Sequence, residues 1–288
     1  MAVIDVFSGG ERRKFLRRLF KRKTVAIGTV VLTIFVLLAI FAPLIAPYSP
    51  SKLSIVNRLK PPSAVNFFGT DEFGRDVFTR TIYAGRLSLL VGGAVVLLAA
   101  VIGVTLGLLA GFFKRLDTPI ARLVDAMMAF PDILLAIALV AALGPSLATV
   151  IVALSIVYAP RLARIVRAST LVIRELPYVE AARALGVSTL HIMTRHVLRN
   201  LVSPILVQGT FLFANAMLAE AGLSFLGLGV SPEIPTWGTI IAAGRQYLDT
   251  ADWMTLFPGF AIILSVLSLQ MVGDGLRDIL DPRLRKDL

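Results

Sequence analysis

The chain contains no cysteine. Disulfide cross-links, thiolate metal sites and thiol nucleophiles are therefore excluded. Histidine is nearly as scarce, with only His191 and His196 present. They stand five residues apart and form no H-E-x-x-H pair, so solvated helix-surface imidazoles are the ordinary reading and a metal pair the alternative. No G-x-x-x-x-G-K-[ST] loop occurs, so the chain lacks the usual cradle for ATP phosphates. Nor is there a G-x-S-x-G elbow, a pair of carboxylates placed for hydrolysis, or a Ser/His or paired-Asp arrangement inside the apolar runs. No catalytic residue, metal or cofactor is expected on this chain. Charge is thin as well: 16% of the 288 residues are Asp, Glu, Lys or Arg.

What the chain does have is hydrocarbon. Hydrophobic residues make up 57% of it and mean hydropathy is +0.82. Several uncharged runs reach the ~18–20 residues that cross a bilayer. A formal net charge of +11 could signal a nucleic-acid binder. The basic residues, however, sit in blocks beside apolar runs, where they act as topology signals, and no nucleic-acid partner is expected.

Residues 1–23 hold Arg12, Arg13, Lys14, Arg17, Arg18, Lys21, Arg22 and Lys23, a block that places the N-terminus in the cytoplasm and near anionic headgroups. Phe15, Leu16, Leu19 and Phe20 fall at helical spacing, as in a segment lying along a membrane surface. A first span follows from about Thr24 to Ala46 (domain 24–47). It exceeds the roughly 7–15 apolar residues of a cleaved signal and is expected to remain as an anchor. Residues 48–86 read as an external loop with prolines and both charge signs; Lys52, Arg58, Lys60, Arg75 and Arg80 sit awkwardly there for the positive-inside rule.

The second span, about Leu87 to Phe113, carries Gly103, Gly107 and Gly111 on one helical face. That face serves close helix packing, or the glycines are simply tolerated in lipid. Lys114 and Arg115 mark a short turn, and the third span runs from about Ile120 to Leu143. Within it Arg122 and Asp125 are one turn apart and expected to pair, Pro131 is expected to kink the helix, and Asp132 lies deeper. The fourth span ends near Ala159. Residues 161–200 then form a polar island, with Pro177 opening a short helix, Gly186 ending it and Ser188 capping the next, whose Leu190, Met193, Val197 and Leu201 are expected to face inward. A fifth span, about Leu201 to Leu223, contains Glu220; an external loop of about 224–255 carries Trp237 and Trp253 as expected interfacial anchors. A sixth span, about Leu256 to Val272, leads to a basic tail, 277–288. Asp132 and Glu220 are the candidate pathway-lining acids, because a charge at that depth normally faces protein or water; a structural hydrogen bond between helices is the alternative.

The wording of several segments resembles a known family. Glu180-Ala181-Ala182 followed by Gly186, then Val197-Leu198, resembles the EAA signature of bacterial ABC-importer permeases. Gly69 to Asp76, Ala129-Phe130-Pro131, Leu223 to Gly229, Trp237-Gly238, Gly273 to Asp278 and Asp281-Pro282-Arg283 are similar to the C-type permease of dipeptide, oligopeptide and nickel importers. Arg199 stands where that family usually has proline, and Leu269-Gln270 where it often has Phe-Asn.

The resemblance implies an all-α, multi-pass inner-membrane protein of six transmembrane helices with the type I importer fold. Its transmembrane domain would span about 87–276, both termini would be cytoplasmic, and a cytoplasmic coupling helix would lie in the island. It implies as partners a second, B-type permease, two ATPase subunits that use ATP and Mg²⁺, an extracytoplasmic binding protein and membrane lipid. Glu180, Ala181, Ala182, Arg183 and Gly186 would form the ATPase-docking surface, with small alanines allowing close approach, Glu180 meeting a partner cation and Gly186 permitting the tight turn. The substrate would be a small peptide, with nickel, glutathione or glycosides as alternatives. A stand-alone secondary transporter, the competing class, would require inverted repeats, and no repeat pairs the first three spans with the last three. A scaffold without a pathway is the remaining alternative.

Overall fold

A computed structural model describes residues 22–280. The basic block up to Lys21 and the tail residues Arg283, Arg285 and Lys286 lie outside the described residues. Within them the regular elements are helices, apart from an isolated antiparallel bridge between Thr70 and Asp76. The principal helices are α1 (Lys23–Ile40), α2 (Val77–Phe112), α3 (Lys114–Met128), α4 (Asp132–Leu143), α5 (Leu147–Ile173), α6 (Pro177–Ala184), α7 (Thr189–Phe225), α8 (Trp237–Gly244) and α9 (Trp253–Leu280). Five of them, α1, α2, α5, α7 and α9, are long and apolar enough to cross a membrane, and the bent pair α3/α4 makes a sixth crossing if counted as one span. One end of the bundle carries the polar island; the other carries residues 48–76 and 226–252.

Two helix boundaries depart from the expectation. Helix α2 starts at Val77, ten residues before Leu87, because the Asp76 carboxylate caps it by accepting the Thr79 N–H at 2.7 Å. Its 36 residues span about 54 Å, well beyond a ~30 Å hydrocarbon core, so the charged first turns stand outside the apolar run that hydropathy detects. The third span is broken rather than kinked. Helices α3 and α4 meet at 91°. Pro131 has no N–H to continue the ladder and keeps Phe130 out of the helical region, so a new helix starts at Asp132 with Pro131 as its N-cap residue.

The bundle is held by small residues. A Cβ on Gly103 or Gly107 would lie 2.7 or 2.6 Å from the carbonyl oxygens of Ala159 and Ala163, and one on Gly111 would lie 2.6 Å from Thr170 Cβ. The glycine face of α2 is thus closed by α5 of the same chain, the most extensively packed helix pair among the described residues. Helix α1 docks on α9 by the same device. A Cβ on Gly28 would meet Met271 Cβ at 2.9 Å, and one on Gly275 would meet Val25 Cγ2 at 2.2 Å. Beside this contact Arg22 pairs with Asp278.

Candidate coupling surface and intramembrane acids

The polar island is less loop-like than its composition suggests. Helix α5 continues to Ile173, so Arg161, Arg164 and Arg167 recur every three residues along one helical stripe. Each reaches an acid of the broken pair: Arg161 to Asp132 at 2.8 Å, Arg164 to Asp125 at 2.6 Å and Arg167 to Asp117 at 2.5 Å. The expected Arg122–Asp125 pair is therefore replaced by Arg164–Asp125, because the break at Phe130-Pro131 swings α3 alongside α5. Asp117 was missed as a partner; the readable signal was the spacing of seven to eight residues between the three acids against three between the arginines. Arg174 is engaged too, donating to the Gly111 carbonyl at 2.7 Å and to Glu175 at 2.9 Å.

Past these anchored cations stands α6, eight residues long with Pro177 in its first turn. It ends in a Schellman arrangement: Gly186 N–H donates to Arg183 O and Val187 N–H to Ala182 O, both at 3.0 Å, with Gly186 at φ +74°. Few L side chains adopt that angle without strain, so the position after the cap favours glycine, with asparagine next. Val179 (0% exposed) and Ala182 (8%) pin α6 to the chain's own core, while Glu180, Ala181, Arg183 and Gly186 are exposed. Of the residues expected to dock, Ala182 is the exception, because it faces inward one turn from Val179. The Arg183 guanidinium lies 5.3 Å from the Phe112 ring centre.

Helix α7 opens at Thr189 and passes through a π-helical stretch, Ile192–Val197, before Arg199. Ser188 holds the cap position, although its side chain accepts no hydrogen bond. The inward residues are Ile192, Met193, Val197 and Leu201; Leu190, expected among them, is 71% exposed. The wider π turn accounts for the shifted face and brings the His191 and His196 rings to 6.0 Å. No group of three or more His, Cys, Asp or Glu side chains suited to a metal occurs among the described residues.

The two candidate pathway acids occupy different settings. Asp132 is paired with Arg161 but keeps 41% of its side chain exposed. Glu220 is 1% exposed, and its Oε1 accepts from Ser224 Oγ and Thr236 Oγ1, both at 2.8 Å. It thereby ties the end of α7 to the N-cap of α8, where Thr236 also accepts the Thr239 N–H at 3.0 Å.

At the opposite end two of the five awkward cations, Arg75 and Arg80, find internal acids. Asp71 accepts from Phe73 N–H at 2.9 Å, Arg75 N–H at 2.8 Å and Arg75 Nε at 2.6 Å, with Arg80 Nε 3.7 Å away. Arg80 also donates to the carbonyls of Pro50 and Pro232 at 3.3 and 3.5 Å, joining the two connecting segments. Arg75 and Arg80 are thus folded away, while Lys52, Arg58 and Lys60 stay exposed. Burial, and then the Asp71 charge, push the Glu72 carboxyl above its ordinary value. Trp237, expected at an interface, is instead 1% exposed and donates to the Thr81 carbonyl at 2.9 Å; Trp253 donates to the Thr70 carbonyl at 3.1 Å.

Comparison with known proteins agrees with this architecture. Residues 103–286 match the profile of the binding-protein-dependent transport system inner membrane component, and residues 12–62 that of the N-terminal TM domain of oligopeptide transport permease C. A peptide transport system permease protein of Brucella suis biovar 1 is 52% identical, covering 93% of this chain and 91% of its own length. The dipeptide transport system permease of Alkalihalophilus pseudofirmus is 47% identical, over 95% and 90% of the two chains. The glutathione transport system permease of Pectobacterium atrosepticum is 39% identical, over 95% and 91%. Among solved structures, an inward-facing MetNI methionine ABC transporter chain superposes with a TM-score of 0.57 at 18% identity, covering 70% of this chain and 96% of that one, a likeness of fold. The permease reading thus displaces the secondary-transporter and scaffold alternatives, and the chain belongs to the family of inner membrane components of binding-protein-dependent transport systems.

Proposed function

We propose that this chain forms half of the translocation pathway of an ATP-driven importer for small peptides, pairing with a second permease. The observation that carries the reading is α6: a short helix anchored by Val179 and Ala182 that holds Glu180, Ala181 and Arg183 exposed on a rigid, glycine-terminated turn. Since the chain lacks a phosphate loop, the motor belongs on other chains, and two ATPase subunits using ATP and Mg²⁺ would receive this surface. The basic island and the N-terminal block would face the cytoplasm, with residues 48–76 and 226–252 on the side of an extracytoplasmic binding protein. Peptides are favoured as substrate because the Brucella and Alkalihalophilus relatives are named for peptide and dipeptide transport; the relative named for glutathione supports a peptide-like solute as the nearest alternative. Asp132, half-open at the break, would line the pathway. Glu220 would act from behind it by fixing α8 to α7.

The test is co-purification. Glu180→Lys combined with Ala181→Arg leaves Val179, Ala182 and Gly186 in place, so the chain should reach the membrane at normal levels. It should nevertheless lose its ATPase subunits on affinity purification. Full retention of those subunits would sink the docking assignment. Ligand screening of the cognate binding protein would settle the substrate, and a protein selective for a metal or a glycoside would overturn the peptide assignment.

A further inference from the structure

Helix α1 approaches its neighbours unevenly. At the island end Gly28 and Gly275 bring α1 and α9 into backbone contact. Toward the other end the helices part, and a cavity of about 260 Å³ opens between α1, the first turns of α2, Trp237 and α9. Phe35 and Leu38 of α1 line it. They lie 12 and 15 residues beyond Lys23 (35 − 23 and 38 − 23), about 18 and 23 Å along the helix, which is within a ~30 Å hydrocarbon core.

The walls accept only hydrocarbon. Their polar groups are few and already engaged: the Thr81 hydroxyl donates to the Val77 carbonyl at 2.7 Å, and the Trp237 indole N–H donates to the Thr81 carbonyl at 2.9 Å. The buried side-chain atoms without partners among the described residues belong to Glu72, Thr79, Thr170 and Ser265, none of which lines the cavity. Water needs two to four polar partners, so the space has nothing to hold it, and a peptide's amides would go unpaired. The volume exceeds the ~150 Å³ at which an apolar protein cavity takes up benzene. At the loop end the stacked Phe68 and Phe257 rings, 3.8 Å apart, with Phe78 edge-on to Phe68, close the cavity. On the side it is rimmed by Phe260 and Leu264, 58% and 45% exposed, at membrane depth.

We infer that this cavity is a binding site for an acyl chain of a bilayer phospholipid, which enters between α9 and α1 and fills the wedge the two helices leave. Against α9 the first helix is then held at one end by glycine contacts and at the other by lipid, while Ala39 packs beside Gly85 of α2. Apolar surface facing a void forfeits dispersion contacts that an acyl chain restores.

The chain's two tryptophans allow a direct reading. Trp253→Phe leaves Trp237, in the cavity wall, as the single indole. The full chain is placed in nanodiscs of phospholipid with or without bromine at mid-acyl chain. With acyl chains in large excess the site should be more than half filled, and Trp237 emission should fall roughly twofold or more in the brominated lipid. Ala261→Leu and, separately, Ile82→Phe fill the cavity from two different helices and should restore the emission. Native mass spectrometry of the same chains should show a retained phospholipid that either filling variant loses. Equal emission in both lipids would overturn the site, as would quenching that persists in a folded filled variant. Recovery of emission on adding a second permease, meaning that a partner side chain occupies the cavity, would overturn it too.

Discussion

The two ends of this bundle handle charge in opposite ways. At the loop end Asp71, Arg75 and Arg80 are 3–10% exposed at their side chains and satisfy one another within the chain. At the island end Asp132, Asp125, Arg161 and Arg164 are 40–65% exposed, and Glu180 has no partner within hydrogen-bonding reach among the described residues. A closed network gives an ion pair the low-dielectric setting in which breaking it is costly; an open one leaves the pairs weak and free to re-form against another surface. The loop end closes its charges on groups of this chain, whereas the island end leaves its charges open to the surroundings.

The sharpest way to break that contrast is Asp71→Asn. It leaves Arg75 and Arg80 buried without their main acid and should cost about 3–5 kcal/mol, read as a large fall in the thermal unfolding midpoint of the full chain. Glu220→Leu should cost less, about 1–3 kcal/mol, by leaving the Ser224 and Thr236 hydroxyls without their shared acceptor; earlier proteolysis of the connection between α7 and α8 would report it. Asp125→Asn, at the open end, should cost under about 1 kcal/mol, with a difference from wild type that shrinks as salt is raised. An Asp125 effect as large as that of Asp71 would erase the distinction between the ends.

The smallest effect is one of pH. The folded-state value of Glu72 is raised, chiefly by burial, so between its ordinary value of 4.5 and the raised value the folded chain holds more protons than the unfolded one. Stability contributed by the protonated form is full below 4.5 and is lost as pH rises through the folded value. Glu72→Gln should flatten that decline and leave the chain slightly more stable at neutral pH. A steeper decline in the variant would contradict the assignment.

The legible part of the site was its local chemistry. Pro177, Gly186 and the small residues between them announce a short capped helix, and its existence and ends follow from first-turn proline and left-handed glycine. Which side of that helix turns inward was not legible: Ala181 and Ala182 are identical in type, and only contact with Val179, Ile192 and the rest of the core separates them. The inward face of α7 was misassigned at Leu190 because the 3.6-residue period was applied where six residues follow a π turn, and no residue type marks that change.

The sequence by itself determined the class of molecule. Long uncharged runs flanked by basic blocks leave a helical multi-pass membrane protein, because hydration of charges and backbone groups acts over short segments and is readable from composition. The tertiary structure alone decided the pairings: Arg164 rather than Arg122 for Asp125, close packing on α5 for the glycine face, and burial for Glu220 and Trp237. Each depends on where a distant segment lands. That is set by the 91° break at Pro131 and by packing distances of a few ångströms, which no local window of residues encodes.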